Sequence, residues 1–382
     1  MNFPTSDSLN LKKLSSKPRS LADYVILNEE AFHKTISIER KRTERSRKPF
    51  LLMLLDTAKA SSLDQQAVLS KLFSSLQLST RETDVTGWYK HNAIIGVMFT
   101  EIGNEERNAI VSNMITRVSA TLRDNLRFEE FNQISISFYL FPEDWDPKIP
   151  QRSPHHTLYP DLQKRDNARK HFHITKRVMD VVGSSAALLV LAPLFLLISV
   201  AIKLTSKGPV FYRQPRIGRH GVPFVCLKFR SMYLDSDSGV HESYVRELIA
   251  GRAQRKPHNG NGPGVYKLTE DSRITPLGSI LRRTSLDELP QFWNVLRGDM
   301  SLVGPRPPIP YEVEAYDIWH RRRLLEAKPG ITGLWQVNGR SRVAFDEMVR
   351  LDLRYAQTWS PWLDIKILMR TPWAVVIGEG AH

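Results

Sequence analysis

Twenty-two consecutive residues, 181–202 (VVGSSAALLVLAPLFLLISVAI), carry no charge, and no other feature of the 382-residue chain limits its fold so strongly. As one helix the run is long enough to reach across the hydrocarbon core of a bilayer. Pro193 stands in its middle, where proline removes a backbone donor and bends a helix. Lys176 and Arg177 precede the run; Lys203, Lys207 and Arg213 follow it. Positive flanks are held on the cytoplasmic side, so both ends are expected on the same face of a membrane. A re-entrant hairpin over 178–203, hinged at Ala192-Pro193, meets both conditions. A buried core helix is the alternative.

The charge balance sharpens this reading. The chain has 54 Lys+Arg against 40 Asp+Glu, a formal net charge of +14. Between His171 and Arg230 nine Lys/Arg oppose a single acid, Asp180, so the excess brackets the apolar run. Lys176, Arg177, Lys203 and Lys207 are placed to pin the hairpin against anionic head groups, and membrane lipid is the expected partner. A nucleic-acid binder would interleave cations with exposed aromatics on one face, and no nucleic acid is expected. One cysteine, Cys226, excludes an intrachain disulfide and a multi-thiolate metal site. Residues 1–20 are polar and basic without an apolar centre, so no secretory signal is expected.

Residues 1–49 read as a basic tail followed by a charged, solvated helix ending in ERKRTERSRK. Residues 50–143 read as a separate α/β domain. PFLLMLLD has strand length, 64–78 and 104–126 have helical apolar spacing, DVTGWYKHNAIIGVMF reads as two strands around Lys90-His91-Asn92, and QISISFYLF alternates. The resulting βαββαβ order suggests a ferredoxin-like palm. It resembles the diguanylate-cyclase palm, but lacks that family's glycine- and acid-rich hairpin, so a binding or regulatory role is implied rather than catalysis. Residues 144–175, rich in Pro, His and charge, read as a linker, with His155, His156, His171 and His173 as ordinary loop histidines.

Residues 176–382 carry the chemistry. GPVFYRQPRIGRHGVPFVCLKFRSM reads as two strands joined at Gly218–Gly221 and ending in Lys228-x-Arg230. In Leu281–Pro307 the adjacent acids Asp287 and Glu288 lie among Arg282, Arg283, Arg297 and Arg306. Arginines bind phosphate oxygens bidentately and a hard cation takes carboxylate oxygen, so the mixture fits a phosphate site with a metal. Thr284-x-x-Asp287 and Ser285-x-x-Glu288 equally match helix capping boxes, with Pro290 in a first turn. The two roles are compatible, since a helix N-terminus also favours an anion.

From about Thr175 onwards the chain resembles the bacterial sugar transferases, the monotopic polyprenyl-phosphate phosphoglycosyl transferases of the undecaprenyl-phosphate glucose/galactose phosphotransferase type. The resemblance rests on KRVMD, GPVFYRQPRIGRHG, KFRSM, DSRITPLG, LRRTSLDELPQFWNVLRGDMSLVGPRP, KPGITGLWQVNGR and WLDIKIL in that order. It implies that Asp287 attacks the sugar-bearing phosphate of a UDP-sugar. UMP leaves, and a polyprenyl (undecaprenyl) phosphate then takes the phosphosugar, which starts a polysaccharide. It implies that Glu288 helps to hold Mg²⁺ and that Lys228, Arg282 and Arg306 bind phosphate, with Arg230 and Arg273 as further candidates. It gives Asp364 either a functional or a local pairing role. The family's Ser-Pro break is Ala192-Pro193 here.

Six of the eight tryptophans lie between Trp293 and Trp373, and TWSPWLDIKILMRTPWAVV fits an amphipathic helix at a head-group interface. The expected fold class is therefore α/β (α+β): a palm-like accessory domain, then a membrane-embedded catalytic domain facing the cytosol of a bacterial inner membrane. The sugar and a homodimer stay open, and a catalytically inactive membrane scaffold is the alternative function.

Overall fold

A computed structural model describes residues 26–57, 65–100, 102, 107–143, 156–233, 239–253, 266, 273–339 and 342–376. Most of the basic tail, the 144–155 part of the expected linker, Asp271 and Ser272 of DSRITPLG, and Arg340 of the NGR block lie outside these residues. The chain divides into two compact units, 1–141 and 142–382.

The first unit runs α1 Glu29–Ser46, β1 Phe50–Asp56, α2 Gln65–Ser79, β2 Val85–Lys90, β3 Ile94–Phe99, α3 Arg107–Asn125, α4 Phe128–Asn132 and β4 Ser135–Phe141. Its sheet has the order β2-β3-β1-β4, with every neighbouring pair antiparallel. Six apolar residues in a row make β1 central, because a strand covered on both faces needs no polar alternation. Leu51, Met53 and Leu55 enter one core with Leu72 and Leu76 of α2 and Val118 and Leu122 of α3. Phe50 and Leu52 alternate to the opposite face and are equally buried.

The solvated-helix reading of 29–46 is corrected here. Asn28 caps α1 by accepting from Ala31 N at 2.8 Å, and Phe32 and Ile36 of α1 are fully buried. Phe32 lies over Gly87 and Gly96, register partners on β2 and β3, where an added Cβ on Gly96 would come within 2.2 Å of its ring. The charged look of the helix reflects mostly its outer face, although Arg40 is buried on the same side as Phe32 and Ile36. Leu27 also bridges to Gly87 at the free side of β2.

The second unit contains α5 Pro160–Ala168, α6 Lys170–Val190, α7 Ala192–Thr205, β5 Phe211–Ile217, β6 Pro223–Phe229, α8 Gly239–Ile249, α9 Pro276–Arg283, α10 Gln291–Arg297 and β7 Ser301–Val303. It continues with α11 Pro310–Glu314, α12 Arg322–Glu326, β8 Gly330–Thr332, α13 Leu334–Asn338, α14 Phe345–Thr358 and α15 Pro361–Val376. β5 and β6 form an antiparallel hairpin, and β7 pairs with β8 in parallel. Helix begins at Pro160, inside the stretch expected to be linker. Its cations explain this: Arg165 pairs with Glu326, and Arg169 donates to the carbonyls of Ala356 and Gln357.

The apolar run is a bent helix pair. α6 and α7 meet at 59°, and no single helix among the described residues is long and apolar enough to cross a membrane. The break falls at Leu191, before the expected Ala192-Pro193. Pro193 then occupies the first turn of α7, where its missing N–H leaves no bond unmade. Leu189, Val190, Leu196 and Leu197 are exposed around the bend, and Leu204 at the far end of α7.

The start of α6 is bolted into this unit by the polar residues of KRVMD. Lys176 donates to Asp364 at 2.7 Å and to the Val303 carbonyl at 3.0 Å. Arg177 donates to the carbonyls of Val295 and Leu296, both at 2.7 Å, at the end of α10. Asp180 accepts from the Ser301 hydroxyl and Leu302 N. Lys176 and Arg177 therefore hold protein groups rather than head groups, whereas Lys203 and Lys207 are exposed. α15 is amphipathic: Ile367 is buried, while Trp362, Met369 and Trp373 are exposed.

Candidate active site

Asp287 and Glu288 stand on a single 3-10 turn, Leu286–Glu288, between α9 and α10. Thr275 caps α9 by accepting from Gly278 N, and the helix stops after Arg283. Ser285 then adopts a left-handed conformation, φ 57°, which breaks the helical ladder ahead of the acids. The capping boxes expected here do not form. Thr284 donates its hydroxyl back to the Ile280 carbonyl at 2.8 Å, and no side chain caps the turn or α10. Neither carboxylate therefore caps a helix.

Lys228 reaches them from β6. Its Nζ donates to Glu288 Oε1 at 2.8 Å, and both side chains are partly shielded from solvent. Burial pushes the Asp287 carboxyl up, to about 6, against the opposing pull of Lys228 and Arg282. Burial also disfavours charge on Glu288, but Lys228, Arg306 and Arg216 outweigh it and hold that carboxyl well below its ordinary range. The pair is therefore unsymmetrical: Glu288 keeps its charge, while Asp287 is the more readily protonated member.

Arg282, on the last turn of α9, has a buried Nη1 with no hydrogen-bond partner, an orphaned donor in electrostatic reach of Asp287. Arg306 is exposed, and its carbonyl is held by Arg323 Nη2 at 3.0 Å. Lys228, Arg282, Arg306, Asp287 and Glu288 are thus brought together. Arg230 is not: it is buried and donates to the carbonyls of Ser206 and Lys207 and to the Ser206 hydroxyl, closing the end of α7. Arg273 is half-buried beside the Met232–Ile274 bridge, with its carbonyl accepting from Tyr233 N. Asp364 is buried, and accepts from Lys176, the Tyr355 hydroxyl and Trp359 Nε1, which makes it a packing node. Ala192 and Pro193 are exposed beside the bend.

Three contributors were not singled out for the site by sequence. Arg216 is fully buried, donates to Gln214 Oε1 and to the Pro307 carbonyl at 2.6 Å, and faces Glu288 and Arg306 electrostatically. His241 and the Tyr311 hydroxyl lie 2.7 Å apart in the field of Arg306, Arg216 and Arg273. The QPRIG block contained Arg216, but nothing local distinguishes a buried arginine from its exposed neighbours.

Among the described residues no group of three or more His, Cys, Asp or Glu converges as a metal cage. The donor set nevertheless suits Mg²⁺, which is commonly held by one or two carboxylates together with water and substrate phosphate oxygens. Glu288 offers an ionised, partly exposed carboxylate for that purpose.

The chain is similar to several known proteins. "Galactosyl transferase CpsE" of Streptococcus agalactiae is 44% identical over 214 residues, 56% of this chain and 44% of that protein. The "Exopolysaccharide production protein ExoY" of Rhizobium meliloti is 41% identical over 55% of this chain and 88% of its own length. The "UDP-glucose:undecaprenyl-phosphate glucose-1-phosphate transferase" of Caulobacter vibrioides is 40% identical over 55% of this chain and 72% of its own length. The match thus spans less than half of the first relative. A solved structure titled as a DGC protein from Thermotoga maritima aligns with 32% of this chain and 86% of its own at a TM-score of 0.26 and 18% identity. The family profile described as Bacterial sugar transferase matches residues 171–378, more than half of the chain and all of the residues gathered around Asp287, and the chain belongs to that family.

Proposed function

We propose that this chain transfers a sugar 1-phosphate from a UDP-sugar to undecaprenyl phosphate in two displacements at one phosphorus. In the first, a carboxylate oxygen of Asp287 attacks the sugar-bearing phosphorus, the bond to the bridging oxygen breaks, and UMP leaves with the electron pair. In the second, a phosphate oxygen of undecaprenyl phosphate attacks the resulting acyl phosphate and Asp287 is released as carboxylate. The product is an undecaprenyl diphosphate-linked sugar, the first intermediate of an exopolysaccharide.

The observation that carries this reading is the uncapped acidic turn with Lys228 bonded to Glu288 and the orphaned Arg282 donor near Asp287. Lys228, Arg282 and Arg306 would take phosphate oxygens, and Mg²⁺ held with help from Glu288 would supply further charge neutralisation. A covalent intermediate lets a soluble donor and a lipid acceptor use one small site in turn. The relatives' names describe galactosyl transfer, exopolysaccharide production and glucose 1-phosphate transfer to undecaprenyl phosphate, which supports the overall transfer.

The bent α6–α7 pair would enter one leaflet of a bacterial inner membrane and return to the cytosolic face, with Trp362 and Trp373 at the head groups. The first unit, whose strand order is that of a ferredoxin-like palm, would serve binding or regulation.

UMP release from UDP-glucose and UDP-galactose, with undecaprenyl phosphate in nanodiscs, tests the reaction. Asp287→Asn should lower it by at least about a thousandfold while leaving membrane association intact. Acid-quenched wild type should hold hydroxylamine-labile sugar phosphate, and the variant none. Full activity in the variant would overturn the nucleophile assignment.

A further inference from the structure

A second concave site lies in the catalytic unit, away from the acidic turn. A cavity of about 200 Å³ opens between α5, the start of α6, the β5–β6 turn and the residues following α12 and α14. Six Lys/Arg side chains line it against three carboxylates. Glu326 pairs with Arg165, Asp166 with Arg219, and Asp364 beneath the cavity with Lys176. Counting Asp364, two positive charges remain unbalanced with His173 neutral.

The cations without a carboxylate partner are identifiable. Arg169 donates only to the carbonyls of Ala356 and Gln357, Arg177 only to those of Val295 and Leu296, and Lys328 to that of Gly298 at 2.9 Å. Carbonyl dipoles satisfy these donors without cancelling their charge. Burial is the main cause that pushes the Lys328 ammonium and the His173 imidazole down; Arg177, Arg219 and Lys176 add to it at Lys328 against the pull of Asp180, and Arg219 adds to it at His173 against the pull of Asp166.

This cavity is separate from the Asp287 turn. Arg219 sits in the turn of the hairpin, whereas Lys228 is five residues beyond Pro223 on β6, about 17 Å along the strand. No group of the acidic pair lines the cavity.

We propose that this cavity is an anion site for a phosphomonoester with a small organic substituent. Arg169, Arg177, Arg219 and Lys328 bring positive charge to the cavity wall, where it suits a phosphate group, and the Trp359 ring lines the same cavity as an apolar surface for the substituent. The phosphate comes either from a soluble metabolite or from a lipid head group. The assignment does not depend on the transfer reaction proposed above.

The test is calorimetric titration of inorganic phosphate into the full chain in phosphatidylcholine nanodiscs. Lys228→Gln/Arg282→Gln should keep one phosphate site. Arg169→Gln/Lys328→Gln should weaken that binding by about tenfold or more, while Arg169→Lys retains most of it. Undiminished binding in a folded Arg169→Gln/Lys328→Gln chain would overturn the proposal. Should that variant fail to fold, Trp359→Phe provides the second measurement. Loss of the phosphate-dependent tryptophan fluorescence change supports the site, and its full persistence overturns it. Nanodiscs containing phosphatidic acid separate the sources: competition with inorganic phosphate assigns a lipid head group, independence assigns a soluble phosphomonoester, and both retain the site.

Discussion

Lys176→Met separates two accounts of the basic residues before the apolar run. The substitution keeps the aliphatic stem and removes an ammonium that is 15% exposed and lies 2.7 Å from Asp364 Oδ2. Asp364 would be left buried with the neutral donors Tyr355 and Trp359 only. Removing one partner of a buried ion pair costs about 3–5 kcal/mol. In a unit of this size each kcal/mol moves the unfolding midpoint by about 2–4 °C, so the midpoint should fall by about 6–20 °C. Lys176→Met/Asp364→Leu should regain at least half of that loss, because no buried charge is then unpaired. Thermal unfolding by near-ultraviolet circular dichroism, run beside binding to phosphatidylglycerol vesicles, reads both quantities. An unchanged midpoint with weakened vesicle binding would refute the internal pair and restore the head-group role that sequence suggested.

Gly96→Ala should destabilise the first unit by about 1–3 kcal/mol through overpacking against Phe32, and Phe32→Leu should relieve part of it in urea unfolding. Glu130 is held at about 2 by its hydrogen bonds to Lys71 and Arg127, below the ordinary 4.5. A depressed carboxyl gives stability that is complete above the unfolded value and lost as pH falls through the folded one. The gap between wild type and Glu130→Gln in urea midpoint should therefore be widest above about pH 5 and close towards about pH 2. Arg230→Gln should lower the thermal midpoint of the second unit, at about 1–3 kcal/mol for the lost charged bonds, with donor KM unchanged. A raised KM without a midpoint shift would return Arg230 to the substrate.

The strand at PFLLMLLD, the turn at Lys90-His91-Asn92 and the hairpin closing at Gly218–Gly221 were legible because each is fixed by a few adjacent residues. Proline marked the bend to within two residues. The break precedes it because the ring disturbs the turn before it, not its own. The acidic pair and Lys228 were legible as motifs. Their freedom from capping was not, since it follows from one left-handed residue, Ser285, that looks like any serine. Arg230, Lys176 and Arg177 resemble exposed cations in sequence; carbonyls and carboxylates distant in the chain turn them inward. The packing of α1 was hidden for the same reason, because its seat is made by two glycines more than fifty residues away.

That glycine seat has a consequence for modular exchange. Gly87 and Gly96 clear a slot that Phe32 fills, with Leu27 beside Gly87, so α1, the residue before its cap and the sheet interlock as one inheritable piece. A graft of the first unit onto another catalytic partner would have to begin at or before Asn28. One starting at Phe50 would carry an open slot and an uncovered apolar sheet face, and would associate with other chains through it.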